Sequence, residues 1–182
     1  MQPSNGVDGQ QWTRTLTVHS VAELQRFAAG LGGDLAAGDL LILTGGLGAG
    51  KTTFTQGLGR GLGVRPGIIS PTFVLVRVHP PLSGGPALVH VDAYRLESAA
   101  DIDDLDLEST MDSSVTVVEW GAGRVEHLAA NRLEIRLERP VGSQPVPSSS
   151  PETDDDDEPR EVLITAFGQR WANTRPAVGL LD

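Results

Sequence analysis

The sequence predicts an α/β protein, a mixed and mostly parallel sheet with flanking helices and antiparallel strands at the chain ends. Three observations carry this. The continuous apolar run Leu40 to Leu43 reads as a strand covered on both faces, and the mostly apolar segments Leu88 to Val91 and Val115 to Val118 read as further buried strands. Segments of helical period, Val21 to Leu31 and Thr52 to Leu62, are interleaved with them. Alternating segments near both chain ends, Thr13 to Val18, Arg132 to Glu138 and Glu161 to Phe167, read as half-buried strands. At 182 residues the chain is long enough for one domain, at roughly 150 residues per domain.

Taken in order, residues 1–11 are expected to be a disordered lead-in and 12–140 the main body of the domain. After the strand Thr13 to Val18, Ser20 and Glu23 form a capping box that starts a helix, and Gly32 with Gly33 is expected to stop it. The strand Asp39 to Thr44 ends in a glycine-rich turn, and Thr52 to Leu62 follows as a helix. Ser70-Pro71-Thr72 is a turn, Phe73 to Val78 a strand, and Pro80 to Pro86 a loop. The strand Leu88 to Val91 ends in Asp92, 101–108 reads as one short helix, and the strand Val115 to Val118 ends in Glu119-Trp120-Gly121. A helix is expected over Val125 to Ala130, then the strand Arg132 to Glu138. Residues 141–160, rich in Pro, Ser and Asp, read as a disordered acidic insertion, and 161–182 as the final strand of the same domain with a tail.

The formal charge is −10, and six of the acidic residues lie between Glu152 and Glu158; setting them aside leaves −4. A body this mildly acidic argues against direct, tight binding of polynucleotide by neutralising phosphates, with a local basic patch left open. There is no cysteine, which excludes disulfides, thiolate nucleophiles and zinc–cysteine sites. No apolar run approaches the ~20 residues of a spanning helix, so a soluble cytoplasmic protein without membrane attachment is expected. Of 14 basic residues 13 are arginine; the lone lysine, Lys51, suggests a site where arginine will not substitute.

That lysine lies in Gly45-Gly46-Leu47-Gly48-Ala49-Gly50-Lys51-Thr52, which satisfies G-x-x-x-x-G-K-[ST] after a buried strand and before a helix. Glycines let the backbone N–H groups curl around an anion, and the helix adds its unpaired N-terminal amides. The expected ligands are a nucleoside triphosphate and Mg²⁺, on a fold that is P-loop NTPase-like. Lys51 is expected to reach the β and γ phosphates, Thr52 to ligate Mg²⁺, and Thr53 either to bond the α phosphate or merely to cap. Such a site needs carboxylates at neighbouring strand ends to hold metal and orient water, and Asp92 and Glu119 stand there; a turn residue and a solvated strand terminus are the bland readings. Thr72 is a candidate switch residue near the γ phosphate. His90 fits a satisfied sheet histidine better than a proton shuttle, and Trp120 either covers the base, meets a partner or packs under the loop.

The phosphate loop followed by Lys51-Thr52-Thr53-Phe54, then Ser70-Pro71-Thr72-Phe73, His90-Val91-Asp92-Ala93-Tyr94-Arg95-Leu96 and Val118-Glu119-Trp120 resembles the TsaE (YjeE) family. The resemblance implies a small P-loop ATPase needed for threonylcarbamoylation of adenosine 37 in tRNAs that read codons beginning with A. It implies partners, the TsaB and TsaD proteins, which transfer the group that TsaC makes. By resemblance Lys51 is a catalytic phosphate contact. The resemblance implies Thr52 and Glu119 as Mg²⁺ ligands, Asp92 as a second acidic group near metal or water, and Tyr94, Arg95 and Trp120 as a surface shared with TsaB–TsaD. Gly46 stands where that family usually has Asp or Glu, and the acidic stretch near Asp154 is not a family feature. A small-molecule kinase and a binding switch with negligible turnover are the other readings; for a kinase lid the loop from Gly63 to Ile69 supplies only Arg65. With no Asn-Lys-x-Asp string, ATP is favoured over GTP.

Overall fold

The computed structural model describes residues 9–140 and 158–176. Its centre is a seven-stranded sheet of order β1-β7-β6-β2-β5-β4-β3. In chain order the strands are β1 (Gln10–Val18), β2 (Leu40–Thr44), β3 (Val76–His79), β4 (Ala87–Asp92), β5 (Ser114–Glu119), β6 (Arg132–Glu138) and β7 (Arg160–Phe167). The helices are α1 (Val21–Asp34), α2 (Lys51–Leu62), α3 (Ala99–Asp103) and α4 (Glu108–Met111).

The unalternated runs of β2, β4 and β5 form the parallel centre, with β6 parallel to β2 on its other side. Period-2 geometry sends Leu41 and Leu43 to one face and Leu40 and Ile42 to the other, and both faces are covered. The first face meets Phe27 and Leu31 of α1 and Phe54 and Leu58 of α2. The second meets Ile102, Leu107 and Met111 from the α3–α4 region. The strands at the chain ends are antiparallel as expected, β7 to β6 and β1 to β7. A third antiparallel strand, β3, closes the far edge against β4.

Several boundaries differ from the sequence reading. Gln10 and Gln11 belong to β1, so the lead-in is shorter than 1–11, and its first eight residues lie outside the described ones. Arg160 opens β7 instead of closing the acidic insertion, of which 141–157 lies outside the described residues, as do 177–182 of the tail. Helix α1 runs through Gly32 and Gly33 to Asp34. Those glycines do not end it because Gly32 faces α2: a Cβ there would lie 2.4 Å from the Leu58 carbonyl oxygen, so the residue serves close packing. Phe73 to Leu75 is a tight turn, with Val74 and Leu75 N–H both donating to the Pro71 carbonyl, and pairing begins at Val76. The segment 101–108 is not one helix: it holds the end of α3, which starts from a Ser98–Asp101 capping box, then a turn and the first residue of α4. The helix expected over Val125 to Ala130 is a single 3₁₀ turn, Glu126–Leu128.

The cap of α1 is close to the expected one. Ser20 Oγ accepts from the Glu23 N–H at 3.2 Å, while the Glu23 carboxylate reaches back to the His19 N–H at 2.8 Å, one residue beyond the cap. No helix among the described residues is long and apolar enough to cross a membrane.

Candidate functional site

Parallel register decides where the chemistry gathers. Leu43 of β2 pairs with Glu119 of β5, and Asp92 of β4 pairs with Glu119, so the loop after β2 and both carboxylates come to one sheet edge, at the carboxyl ends of the central strands. Both carboxylates are buried, so Glu119 is not a solvated strand terminus, while Asp92 also accepts the Tyr94 N–H as a turn aspartate does. They line, with Gly48, Gly50, Lys51, Thr52, Thr53 and Thr72, a cleft of about 490 Å³.

The loop takes its shape from backbone that only glycine tolerates. Gly45 has φ +151°, and a Cβ on it would stand 2.5 Å from the Leu137 carbonyl oxygen. Gly50 is the N-cap of α2 at φ +105°, with no side-chain cap bond, so the first amides of α2 are left to face the cleft and Thr53 is not a cap. Thr53 lines the cleft instead. Ala49 is buried in the core, whereas Leu47 is 96% exposed at the loop's tip.

Lys51 is buried, and its ammonium donates to the Gly45 and Gly46 carbonyls at 2.8 and 2.9 Å. The Trp120 ring lies 4.0 Å from Nζ. Burial pulls the Lys51 pKa below the usual lysine range, an effect opposed by the carboxylates of Glu119 and Asp92. Trp120 itself sits at φ +61°, uncommon for so bulky a residue; its N–H donates to Leu43 at 2.9 Å and its ring packs 5.1 Å from that of Tyr94. The indole is thus fixed over the lysine, in contact with the loop's cation and with the Tyr94 surface together. Arg95, the next residue, is exposed, and its guanidinium lies 4.9 Å from the ring of Phe73.

The carboxylates are held by different partners. Thr72 Oγ1 donates to Asp92 Oδ2 at 2.8 Å and the Tyr94 N–H donates to Oδ1 at 2.9 Å, so Asp92 ties the 70–72 turn to the strand end. Ser70 and Thr72 hydroxyls are bonded to each other at 2.7 Å. Glu119 Oε1 accepts from Thr52 Oγ1 at 3.2 Å and is 2.8 Å from His90 Nε2. His90 is fully buried; with Glu119 ionised that contact requires the Nε2–H tautomer, and Nδ1 is left without a partner. Among the described residues His90 is thus a sheet histidine satisfied at Nε2 alone, and that bond orients Glu119, which the sequence does not announce.

A hydroxyl and a carboxylate oxygen side by side are hard donors that suit Mg²⁺. That ion keeps several waters and takes one or two protein ligands beside its phosphates, so Thr52 and Glu119 fit it without a larger acidic cluster. Among the described residues no group of three or more His, Cys, Asp or Glu side chains is placed to hold a metal.

Two arginines that sequence reasoning missed line the same cleft, Arg139 and Arg160. The signal was topological: an antiparallel final strand begins at the edge where the parallel strands end, which brings the first residue of β7 beside the last turn of the loop.

One pH response follows from the edge strand. His79 on β3 is pushed below 6.5 by burial, then by the neighbouring His90 and Arg77. As pH falls through 6.5 the unfolded chain takes up a proton that the folded chain resists, so stability should fall there and return as pH rises. Thermal melts between about pH 7 and pH 5 should show this slope, and His79→Asn should flatten it. Equal slopes for the two proteins would refute the assignment.

Comparison with known proteins agrees with this geometry. A family profile described as "Threonylcarbamoyl adenosine biosynthesis protein TsaE" matches residues 18–144. A Streptomyces coelicolor protein named tRNA threonylcarbamoyladenosine biosynthesis protein TsaE is 53% identical over 145 residues, covering 79% of this chain and 90% of that protein. Proteins of the same name from Mycobacterium tuberculosis H37Rv and Bacillus subtilis 168 are 43% and 37% identical. The Mycobacterium tuberculosis match covers 69% of this chain and 79% of that protein; the Bacillus subtilis match covers 74% and 73%. The crystal structure of Bacillus subtilis YdiB superposes with a TM-score of 0.63 at 30% identity, covering 88% of this chain and 89% of that one. With a profile that spans the loop and both carboxylates, and relatives matched over most of their length, the chain belongs to the TsaE family.

Proposed function

We propose that this chain binds and hydrolyses ATP with Mg²⁺, and that it serves the threonylcarbamoylation of tRNA by nucleotide-gated association with the TsaB–TsaD complex. The observation that supports it best is the meeting, in one cleft, of the phosphate loop, the lone lysine and two buried carboxylates on adjacent strand ends. The names borne by the relatives support the tRNA pathway.

Thr52 and Glu119 would hold Mg²⁺, which would supply charge neutralisation for the triphosphate. Lys51 exchanges loop carbonyls for phosphate oxygens. Asp92 holds the 70–72 turn so that Thr72 stands over the γ phosphate, and one of its oxygens accepts from the attacking water. The water adds to the γ phosphorus in line as the bond to the β-phosphate bridging oxygen breaks, yielding ADP and inorganic phosphate. Gly46 leaves no carboxylate at its position, so hydrolysis rests on Asp92 and Glu119. Tyr94, Arg95 and Trp120 present the partner surface beside Lys51, where nucleotide occupancy is felt. The tRNA meets the partners, in keeping with the mildly acidic body.

ATP turnover measured in a reconstituted tRNA-modification mixture, with and without TsaB–TsaD, tests this reading. Stimulation by the partners is expected. Binding without turnover in either case would leave a pure switch, and phosphate appearing on an added metabolite would mark a kinase. Glu119→Gln is expected to lower ATP affinity with Mg²⁺ by about tenfold, the scale of one charge-assisted contact, and to reduce its dependence on the metal. Calorimetry with and without a chelator checks this, and an unchanged metal requirement would remove Glu119 as a ligand.

A further inference from the structure

Arg160 is a buried cation whose Nε and Nη1 have no hydrogen-bond partner among the described residues. It is only 5% exposed. A desolvated guanidinium with idle donors is costly, and folded chains normally pair it. Arg139, its neighbour across the strand pair, is by contrast half-exposed and bonded to Glu158 at 3.3 Å.

The surroundings say what would satisfy it. Arg160 lines the cleft with the phosphate loop, and a Cβ on Gly50 would stand 3.7 Å from its Cδ and Nε. Sheet order puts Asp92 and Glu119 on the β5–β4 side of β2 and Arg139 and Arg160 on the β6–β7 side. The cleft is thus polarised, with carboxylates at one end and guanidinium at the other. In the reading proposed above, the metal and γ phosphate lie at the carboxylate end. A phosphate chain crossing Lys51 and Thr52 then brings its nucleoside-proximal phosphate past Thr53 to the arginine end.

Resting on that reading, we propose that Arg160 is a phosphate-binding residue of the nucleotide cleft, donating to oxygens of the α phosphate. A guanidinium offers permanent charge and fixed donors suited to phosphate oxygens. The bound anion supplies the acceptors that the folded chain withholds. The site is therefore paired only when nucleotide is present.

The test compares wild type, Lys51→Met and Arg160→Met, the last keeping an apolar stem of similar length, by calorimetry with ATP, ADP and inorganic triphosphate. Arg160→Met is expected to weaken all three by a similar factor, about tenfold to a hundredfold, and to leave the Mg²⁺ requirement unchanged. Without nucleotide its Tm should equal or exceed that of wild type, since an unpaired buried charge is gone, while the upward Tm shift on adding ATP should shrink. Wild-type affinities in Arg160→Met, with Lys51→Met inactive in binding, would overturn this proposal alone. A loss confined to ATP and ADP, with triphosphate unaffected, would place the contact on the nucleoside and overturn it too. A lower Tm without nucleotide and unchanged affinities would mark a purely structural arginine. Failure of wild type to bind any of the three would overturn the nucleotide reading itself. Should Arg160→Met not fold, Arg160→Gln is read by the same affinities.

Discussion

Lys51→Met abolishes ATP binding and leaves the protein folded: in calorimetry the affinity falls at least about 100-fold, ~2.7 kcal/mol at ~1.4 kcal/mol per decade. The size follows from what is removed. Lys51 is the only lysine and the cation at the first turn of α2, so its loss takes a charge-assisted contact from the phosphates in a low-dielectric cleft. The fold survives because that charge is a burden to it. Burial lowers the Lys51 pKa, so the folded state disfavours the ammonium, and the cost persists at neutral pH until it is relieved as pH rises through the folded pKa toward 10.5. Methionine fills the same channel beneath Trp120 without charge, and Tm should stay level or rise. Lys51→Arg keeps the charge and is expected to fail as well, because a planar fork does not fit where a point ammonium reaches two carbonyls under an indole 4.0 Å away. Wild-type affinity in either variant would remove the lysine from the mechanism.

The parts of this site that could be read from sequence are those where local pattern and chemistry coincide. Eight contiguous residues specify the loop, because its glycines and lysine act through backbone and spacing. Asp92 and Glu119 stand out because apolar runs end on them, and parallel pairing then places them side by side. What escaped depends on pairing across long sequence separations. His90 is one alternating position in an apolar strand, and only the β4–β5 register puts its imidazole on Glu119. Arg160 is invisible beside an acidic run of low complexity until β7 is known to begin at the ligand edge. The left-handed backbone of Trp120 has no sequence signature, since propensity disfavours it and tertiary bonds to Leu43 hold it. Edge strand β3 misled by its apolar start, Phe73-Val74-Leu75, which is spent on a turn that delivers Thr72 to Asp92 and leaves Phe73 85% exposed.

The glycines of α1 misled for a related reason, and those of α2 yield the largest expected effect on stability. By propensity each glycine in a helix interior costs about 1 kcal/mol, so Gly32-Gly33 reads as a stop, although Gly57, Gly59 and Gly61 did not prevent the helix reading of Thr52 to Leu62. Contact geometry reverses this. Gly57 and Gly61 lie one turn apart on α2, and added Cβ atoms would fall 2.5 Å from the Gln25 carbonyl oxygen and 1.9 Å from that of Ala29 in α1. The helices meet backbone to backbone there, and a clash at 1.9 Å with main chain cannot be eased by turning a side chain. Gly61→Val must separate α1 from α2, opening the core they share over Phe27, Leu31, Phe54 and Leu58. The loss is expected to exceed ~3 kcal/mol, beyond ordinary overpacking, and to lower Tm by roughly 6 to 12 °C. Because Lys51 and Thr52 are the first residues of α2, the same displacement moves the phosphate site, and ATP affinity falls with it. Gly33→Ala is the matched control: nothing lies within 4 Å of its added Cβ, so helix propensity alone acts and should raise stability by about 0.5 to 1 kcal/mol. If Gly61→Val melted with the wild type, the close crossing of α1 and α2 would be wrong, and with it the placement of the loop that α2 carries.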